Sequence, residues 1–233
     1  MLKKIINYLE FLKYKSQFIT FNRNNFNKSK QNNNIILIEF NTNNLSIIAY
    51  SFFANYLKQK HKAEIISYLF TFDPNFFHKI KIFILSILNY KFFGIYKSFG
   101  VEKFLINERD DKVKNDIDYL HKKYFEKLKT KKDLLYLKID DILIGDILYD
   151  SYLRINNLPT VDLKDVNFIN FYKKFLKIFM YWNNYIRKNK NKVKAIAVSH
   201  CVYYAAIPMR ICLKYKIDSY QVNGQSLYKL NKN

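Results

Sequence analysis

Ile35-Ile36-Leu37-Ile38-Glu39-Phe40 is a short, nearly continuous apolar run that leaves no strand face for water. Such a strand is stable only where both faces are covered, as in parallel sheets flanked by helices. Four more segments read as strands, Ala63 to Phe70, Val101 to Ile106, Val193 to Ser199 and Ser219 to Val222, the third of them also a buried run. Between them lie stretches of helical length and spacing. Leu45 to Lys60 is one; another opens at Asp73-Pro74 and runs to about Tyr90. Asp110 to Lys129 reads as a polar, exposed helix, and Ile142 to Arg154 as a helix with Asp140 and Asp141 as capping residues. Asp165 to Asn189 is long and amphipathic, carrying Phe168, Phe171, Phe175, Phe179 and Trp182, and Ala205 to Tyr215 is the last helix. Strand and helix alternate through most of the chain, which predicts an α/β fold with an open, mostly parallel sheet and helices on both faces.

The expected organisation has three parts. Residues 1–33 hold a basic amphipathic helix and an Asn-rich connector, 34–224 form the α/β domain, and 225–233 begin a linker to a second domain that the chain does not contain. In the first part Leu2, Ile5, Ile6, Leu9 and Leu12 recur at helical spacing beside Lys3, Lys4 and Lys13. Such a helix either packs on the domain or lies on an anionic membrane. Glu10, Lys13 and Lys15 interrupt any signal-peptide core. The most apolar stretch, Ile82 to Leu88, falls well short of the roughly 20 residues that span a bilayer.

A formal charge of +21 on 233 residues describes surfaces and steering rather than fold. Only five of the 40 basic residues are arginine, and 13 of the 19 carboxylates lie between Glu108 and Asp165. Basic excess is therefore concentrated near the N-terminus and after Asp165, where it could meet an anionic membrane, a nucleic acid or a phosphorylated substrate. Asn, Lys, Ile, Phe and Tyr all have AT-rich codons, so codon bias is a second source of the same pattern. Cys201 and Cys212 make no disulfide framework or zinc spacing, which fits a reduced, cytoplasmic compartment. The four glycines, Gly94, Gly100, Gly145 and Gly224, allow neither G-x-G-x-x-G nor a P-loop, and no cofactor is implied.

In open α/β sheets, ligands gather beyond the carboxyl ends of the strands. Asn41 and Ser46 follow the first strand; Ser199, His200, Cys201 and Tyr203 follow the fourth; Asn223 follows the last. His200 could shuttle a proton or bind a phosphate, or could be a hydrogen-bonded structural residue. Cys201 reads as a small buried residue before it reads as a nucleophile. Tyr203 and Arg210 could support the same site. Asp146, Asp150 and Arg154 fall four apart on one helix face, either as a local acid-to-base ladder or as a polar face offering a carboxylate base to an acceptor hydroxyl.

Three phrases together resemble a known family. They are Ile36 to Asn41 leading into Ile48-Ala49-Tyr50-Ser51; Ile144 to Arg154 with Leu158-Pro159-Thr160; and Val198 to Tyr203 with Ile207-Pro208-Met209-Arg210. From about Asn34 onward the chain resembles the N-terminal half of two-domain, Rossmann-like glycosyltransferases of bacterial surface and capsular polysaccharide biosynthesis. That resemblance implies a Rossmann-like acceptor-side domain, inactive alone. His200, Asp146 and Asp150 would be its catalytic candidates, and Asn41, Ser46, Arg154, Ser199, Tyr203, Arg210 and Asn223 would bind substrate. Its partners would be a sugar or lipid-linked glycan acceptor, a nucleotide-sugar donor held by the second domain, and an anionic membrane surface on the inner face, with no specific nucleic acid. The other classes that suit the composition are a basic nucleic-acid-binding module and a membrane-apposed scaffold.

Overall fold

The computed structural model describes residues 2–26, 33–70, 76–107 and 114–231. The first unit is helix α1 (Leu2–Asn25), strand β1 (Asn34–Glu39), helix α2 (Asn44–His61) and strand β2 (Ala63–Leu69). Helices α3 (Phe76–Ile87) and α4 (Phe92–Ser98) lead to β3 (Val101–Ile106). Next come α5 (Lys114–Leu120), running into a π turn at His121–Phe125, then α6 (Lys131–Leu135) and a small hairpin of β4 (Lys138–Ile139) and β5 (Ile142–Leu143). The remaining elements are α7 (Gly145–Asn156), α8 (Val166–Asn189), β6 (Val193–Val198), a 3-10 turn (Tyr204–Ala206), α9 (Ile207–Lys214), β7 (Asp218–Val222) and β8 (Leu227–Leu230).

The main sheet has six strands in the order β3-β2-β1-β6-β7-β8, all parallel except the edge strand β8. This is the Rossmann-like open sheet expected from the alternation of runs. Side-chain direction alternates along a strand, so β1 sends Ile36 and Ile38 to one face and Ile35 and Leu37 to the other. The first face packs on α2 and α4 through Ile47, Tyr50, Leu57, Tyr96 and Phe99. The second packs on α7, α8 and α9, with Trp182, Phe175 and Phe179 fully covered. On β6, Ala195 and Ala197 face one way while Val193, Ile196 and Val198 face the other. The register shift opposite Ile35/Ile36 skips Lys194, and that extra residue flips the alternation.

Several expectations are corrected. Asp140 and Asp141 do not cap a helix; both adopt positive φ (49° and 61°) as the two-residue turn of the β4–β5 hairpin. The helix therefore begins at Gly145, not Ile142. A Cβ there would run into the Leu134 carbonyl oxygen, so glycine is what lets α7 start against α6. The expected helix over 110–129 is the shorter α5 plus its π turn, with residues 108–113 outside the described part. Asp73-Pro74 also lies outside it. Residues 227–230 are not linker: β8 pairs antiparallel with β7, and Lys229 bridges Asp218 at 2.8 Å.

Helix α1 exists, and two residues of its expected apolar face meet solvent. Ile6 and Leu12 are exposed. Contact is made farther along by Phe18 and Ile19, which pack on the core, and by buried Asn22, which donates to Ser98 Oγ at 2.9 Å. No helix among the described residues is long and apolar enough to cross a membrane.

Candidate functional site at the carboxyl edge of the sheet

From β1 the chain winds outward through β2 to β3, and from β6 it winds the other way to β7. The order therefore reverses between β1 and β6, and the carboxyl ends of strands at such a reversal are where open α/β sheets take ligands. Glu39 ends β1 and Ser199 follows β6. Glu39 Oε2 accepts from the Ser199 amide at 2.6 Å and from the Ser199 hydroxyl at 2.7 Å, and Tyr50 donates to it at 3.3 Å. The Asn41 carboxamide donates back to Ser199 Oγ at 2.9 Å. Hydrogen bonds to an ionised carboxylate are shorter and stronger than neutral ones, so this network locks the two strand ends together.

Behind it stands an aromatic wall. Phe40 stacks on Tyr96 at 4.8 Å and meets Phe93 at 4.9 Å. The Tyr96 hydroxyl accepts from the Asn41 amide at 2.7 Å and lies 3.0 Å from the Asn41 carbonyl oxygen. Burial pushes the Tyr50 and Tyr96 phenols well above the usual range, and Glu39 adds to the push, so both remain neutral donors. On the β7 side, Gln221 Oε1 accepts from the Cys201 thiol at 3.3 Å. Burial raises the Cys201 thiol, with Arg210 opposing more weakly, which disfavours the thiolate a nucleophile needs.

The second cluster is not a local ladder. Asp146 reaches across to α9, where Arg210 Nη2 lies 2.6 Å from its Oδ2. Its other oxygen is buried with no hydrogen-bond partner among the described residues. One turn on, burial and then the Asp146 charge raise the Asp150 carboxyl. A further turn on, the Arg154 guanidinium lies 4.5 Å from the centre of the Tyr203 ring, within cation–π range. Tyr203 has φ 60° and ψ 178°, a region almost reserved for glycine and costing about 1–3 kcal/mol for other residues. That conformation sits in the loop between β6 and α9, in which His200 is exposed.

The structure ties Asn41 to Ser199, Arg154 to Tyr203 and Asp146 to Arg210, sets Asp150 beside Asp146, and leaves His200 exposed in the loop after β6. Two expected binding residues are committed elsewhere. Ser46 is buried in the first turn of α2, and its amide donates to the capping oxygen of Asn43, which also accepts from Leu45. The N-terminus of α2 is therefore not a bare anion site. The Asn223 carboxamide oxygen accepts from the amides of Gln225 and Ser226 and from the Ser226 hydroxyl, holding the β7–β8 turn.

Sequence reasoning missed Glu39, Tyr50 and Tyr96. The available signal was a lone carboxylate closing an otherwise apolar buried strand. No cluster of three or more metal-ligating side chains occurs among the described residues. An apolar pocket of about 630 Å³ lies apart from the strand-end network, between α1 and α2, lined in part by Tyr14, Phe18, Phe21, Ile47 and Ile48. Comparison with protein-family models, with curated proteins and with solved structures gives no match to this chain.

Proposed function

We propose that the chain is the acceptor-binding domain of a nucleotide-sugar-dependent glycosyltransferase in surface or capsular polysaccharide assembly. It works at the cytoplasmic face of a membrane, and the nucleotide-sugar is held by a second domain or chain. The observation that carries this reading is the tie from α7 to the loop after β6 and to α9. Arg154 on Tyr203 and Asp146 on Arg210 hold paired carboxylates and two guanidiniums beside an imidazole-bearing loop that follows β6.

Each group has a task in that reaction. Asp146 is committed to Arg210, so Asp150 is the base: a carboxyl raised toward neutrality is a better proton acceptor than an ordinary one. The acceptor hydroxyl passes its proton to Asp150 as its oxygen bonds to the donor's anomeric carbon, and the nucleotide diphosphate leaves with the electron pair of the broken bond. Tyr203 offers a ring face for the sugar, and Asn41 and Ser199 offer hydrogen bonds. His200 relays the proton onward.

The test is a calorimetric titration of the whole chain with a panel of saccharide acceptors. Binding that weakens at least tenfold in Asp150→Asn and His200→Ala supports the reading. Binding indifferent to both, or no binding across the panel, overturns it. No glycine-rich phosphate cradle can be written in the sequence, so the chain should transfer no sugar by itself. Turnover by the 233-residue chain, abolished in His200→Ala, would show that the donor site is here as well.

A further inference from the structure

Helix α3 is built inside out. It turns Lys79, Ile82, Leu85 and Ser86 toward the domain, where they are half-buried, and Lys97 donates to the Ser86 carbonyl at 2.6 Å. Its outward stripe is Phe77, Ile80, Phe83, Ile84 and Ile87, continued by Leu88, a spacing that keeps all six on one side. Phe77 is 77% exposed, Phe83 66% and Leu88 68%. A surface helix of a globular domain ordinarily presents charge on that side. Contiguous apolar patches of this kind mark binding surfaces or membrane contacts.

The charges around the stripe select the occupant. Between Asp73 and Glu102 the sequence contains no carboxylate and has Lys79, Lys81, Lys91 and Lys97. Lys81 and Lys91 are exposed at the flank and end of the stripe, and the chain as a whole carries +21. An apolar face rimmed by lysine is complementary to one surface, a bilayer with anionic headgroups: acyl chains take the phenyl and alkyl groups while phosphates take the ammoniums. At 12 residues the helix is about 18 Å long, too short to cross a hydrocarbon core of about 30 Å. It therefore lies in the plane of the interface.

We infer that α3 is an interfacial helix that docks this domain on an anionic membrane through Phe77, Ile80, Phe83, Ile84, Ile87 and Leu88. The inference rests on the membrane-face part of the proposed function and is independent of sugar transfer. It also places the anchor on α3 and not on the N-terminal helix, for which sequence periodicity had left domain packing and membrane contact both open.

The experiment uses the full chain and vesicles of phosphatidylcholine with or without about a third phosphatidylglycerol. Co-sedimentation should favour the anionic vesicles and fall as salt rises. Phe83→Ser/Ile87→Ser should cut binding at least tenfold without lowering Tm, since both side chains are exposed, while Ile6→Ser/Leu12→Ser should leave it within twofold. Phe83→Trp supplies a second reading: its emission should shift to the blue on vesicle addition and be quenched by lipids brominated in the acyl chains. The sole native tryptophan, Trp182, is buried and gives a constant background. Vesicle binding lost in Ile6→Ser/Leu12→Ser and kept in Phe83→Ser/Ile87→Ser overturns the inference and leaves the membrane-face reading standing. No binding to any vesicle overturns both. A dimer that Phe83→Ser/Ile87→Ser converts to monomer, with vesicle binding unchanged, assigns the stripe to a second copy of the chain instead.

Discussion

The Glu39 carboxylate accepts two hydrogen bonds from Ser199, at 2.6 Å from the amide and 2.7 Å from the hydroxyl, and so joins the ends of the two strands between which the sheet reverses. Removing the carboxylate strands a buried amide and hydroxyl, whereas removing the hydroxyl leaves the amide bond intact. Glu39→Ala should therefore cost about 2–3 kcal/mol and Ser199→Ala about 1 kcal/mol. Denaturant unfolding of both singles and the double should show coupling of roughly 0.5–1 kcal/mol. Additive effects would mean that the pair does not act as a unit.

Gly145 sets the start of α7 and with it the position of Asp146, Asp150 and Arg154. An added methyl would meet the Leu134 carbonyl oxygen and crowd the Leu137 amide, both backbone atoms that cannot rotate away. Gly145→Ala should destabilise the protein by about 2–3 kcal/mol through overpacking and should weaken saccharide binding beyond what lost stability explains. A wild-type Tm for this variant would contradict the close approach of α6 and α7.

Asp150 makes a signed pH prediction. Burial first, and Asp146 second, raise its carboxyl in the folded protein. A raised folded value means that this contribution to stability is fully present below the unfolded value and is lost as pH rises through the folded one. At neutral pH the charged Asp150 therefore weakens the fold. Asp150→Asn should be a few tenths of a kcal/mol more stable than wild type near neutrality, the small size reflecting solvent screening of an exposed group. The difference should vanish at about pH 3, where an unfolded Asp is itself protonated. Thermal unfolding across that range checks it. A variant less stable than wild type at neutral pH would contradict the assignment.

Much of the fold was legible because buried parallel strands leave a plain mark. The runs at Ile35, Ala63 and Val193 are buried in the sheet, and β3 lies at its edge with Glu102 and Lys103 exposed, while the reversal between β1 and β6 is known only from the structure. The hairpin at 138–143 was hidden because Asp140 and Asp141 suit a helix cap as well as a tight turn, and two-residue strands show no periodicity. The edge strand β8 was hidden because Leu227, Tyr228 and Lys229 are exposed, although Asn223-Gly224 before them is a turn signal. Site residues at strand ends could be read from topology. The Asp146–Arg210 pair could not, since it joins residues 64 apart that only the packing of α7 near α9 brings together.

Charge alone does not make a nucleic-acid binder. A +21 protein binds polyanions at low salt by counterion release, with no evolved site. That binding should show no sequence or structure preference and should become negligible near 150 mM salt. It should also be indifferent to His200→Ala and Asp146→Asn, because those residues belong to the proposed acceptor site. A salt titration with competitor DNA and RNA measures this. Selective binding that survives physiological salt would favour a nucleic-acid module over a saccharide site.

The proposed saccharide acceptor binds at the carboxyl ends of β1 and β6. Backbone amide chemical-shift mapping during a saccharide titration of the intact chain reads this residue by residue. The largest shifts should fall on Asn41, Ser199, His200 and Tyr203, with smaller ones along Asp146 to Arg154, and Asp150→Asn should abolish them at the same ligand concentration. Shifts confined to the apolar pocket between α1 and α2, or no saturable shifts with any acceptor, would contradict it.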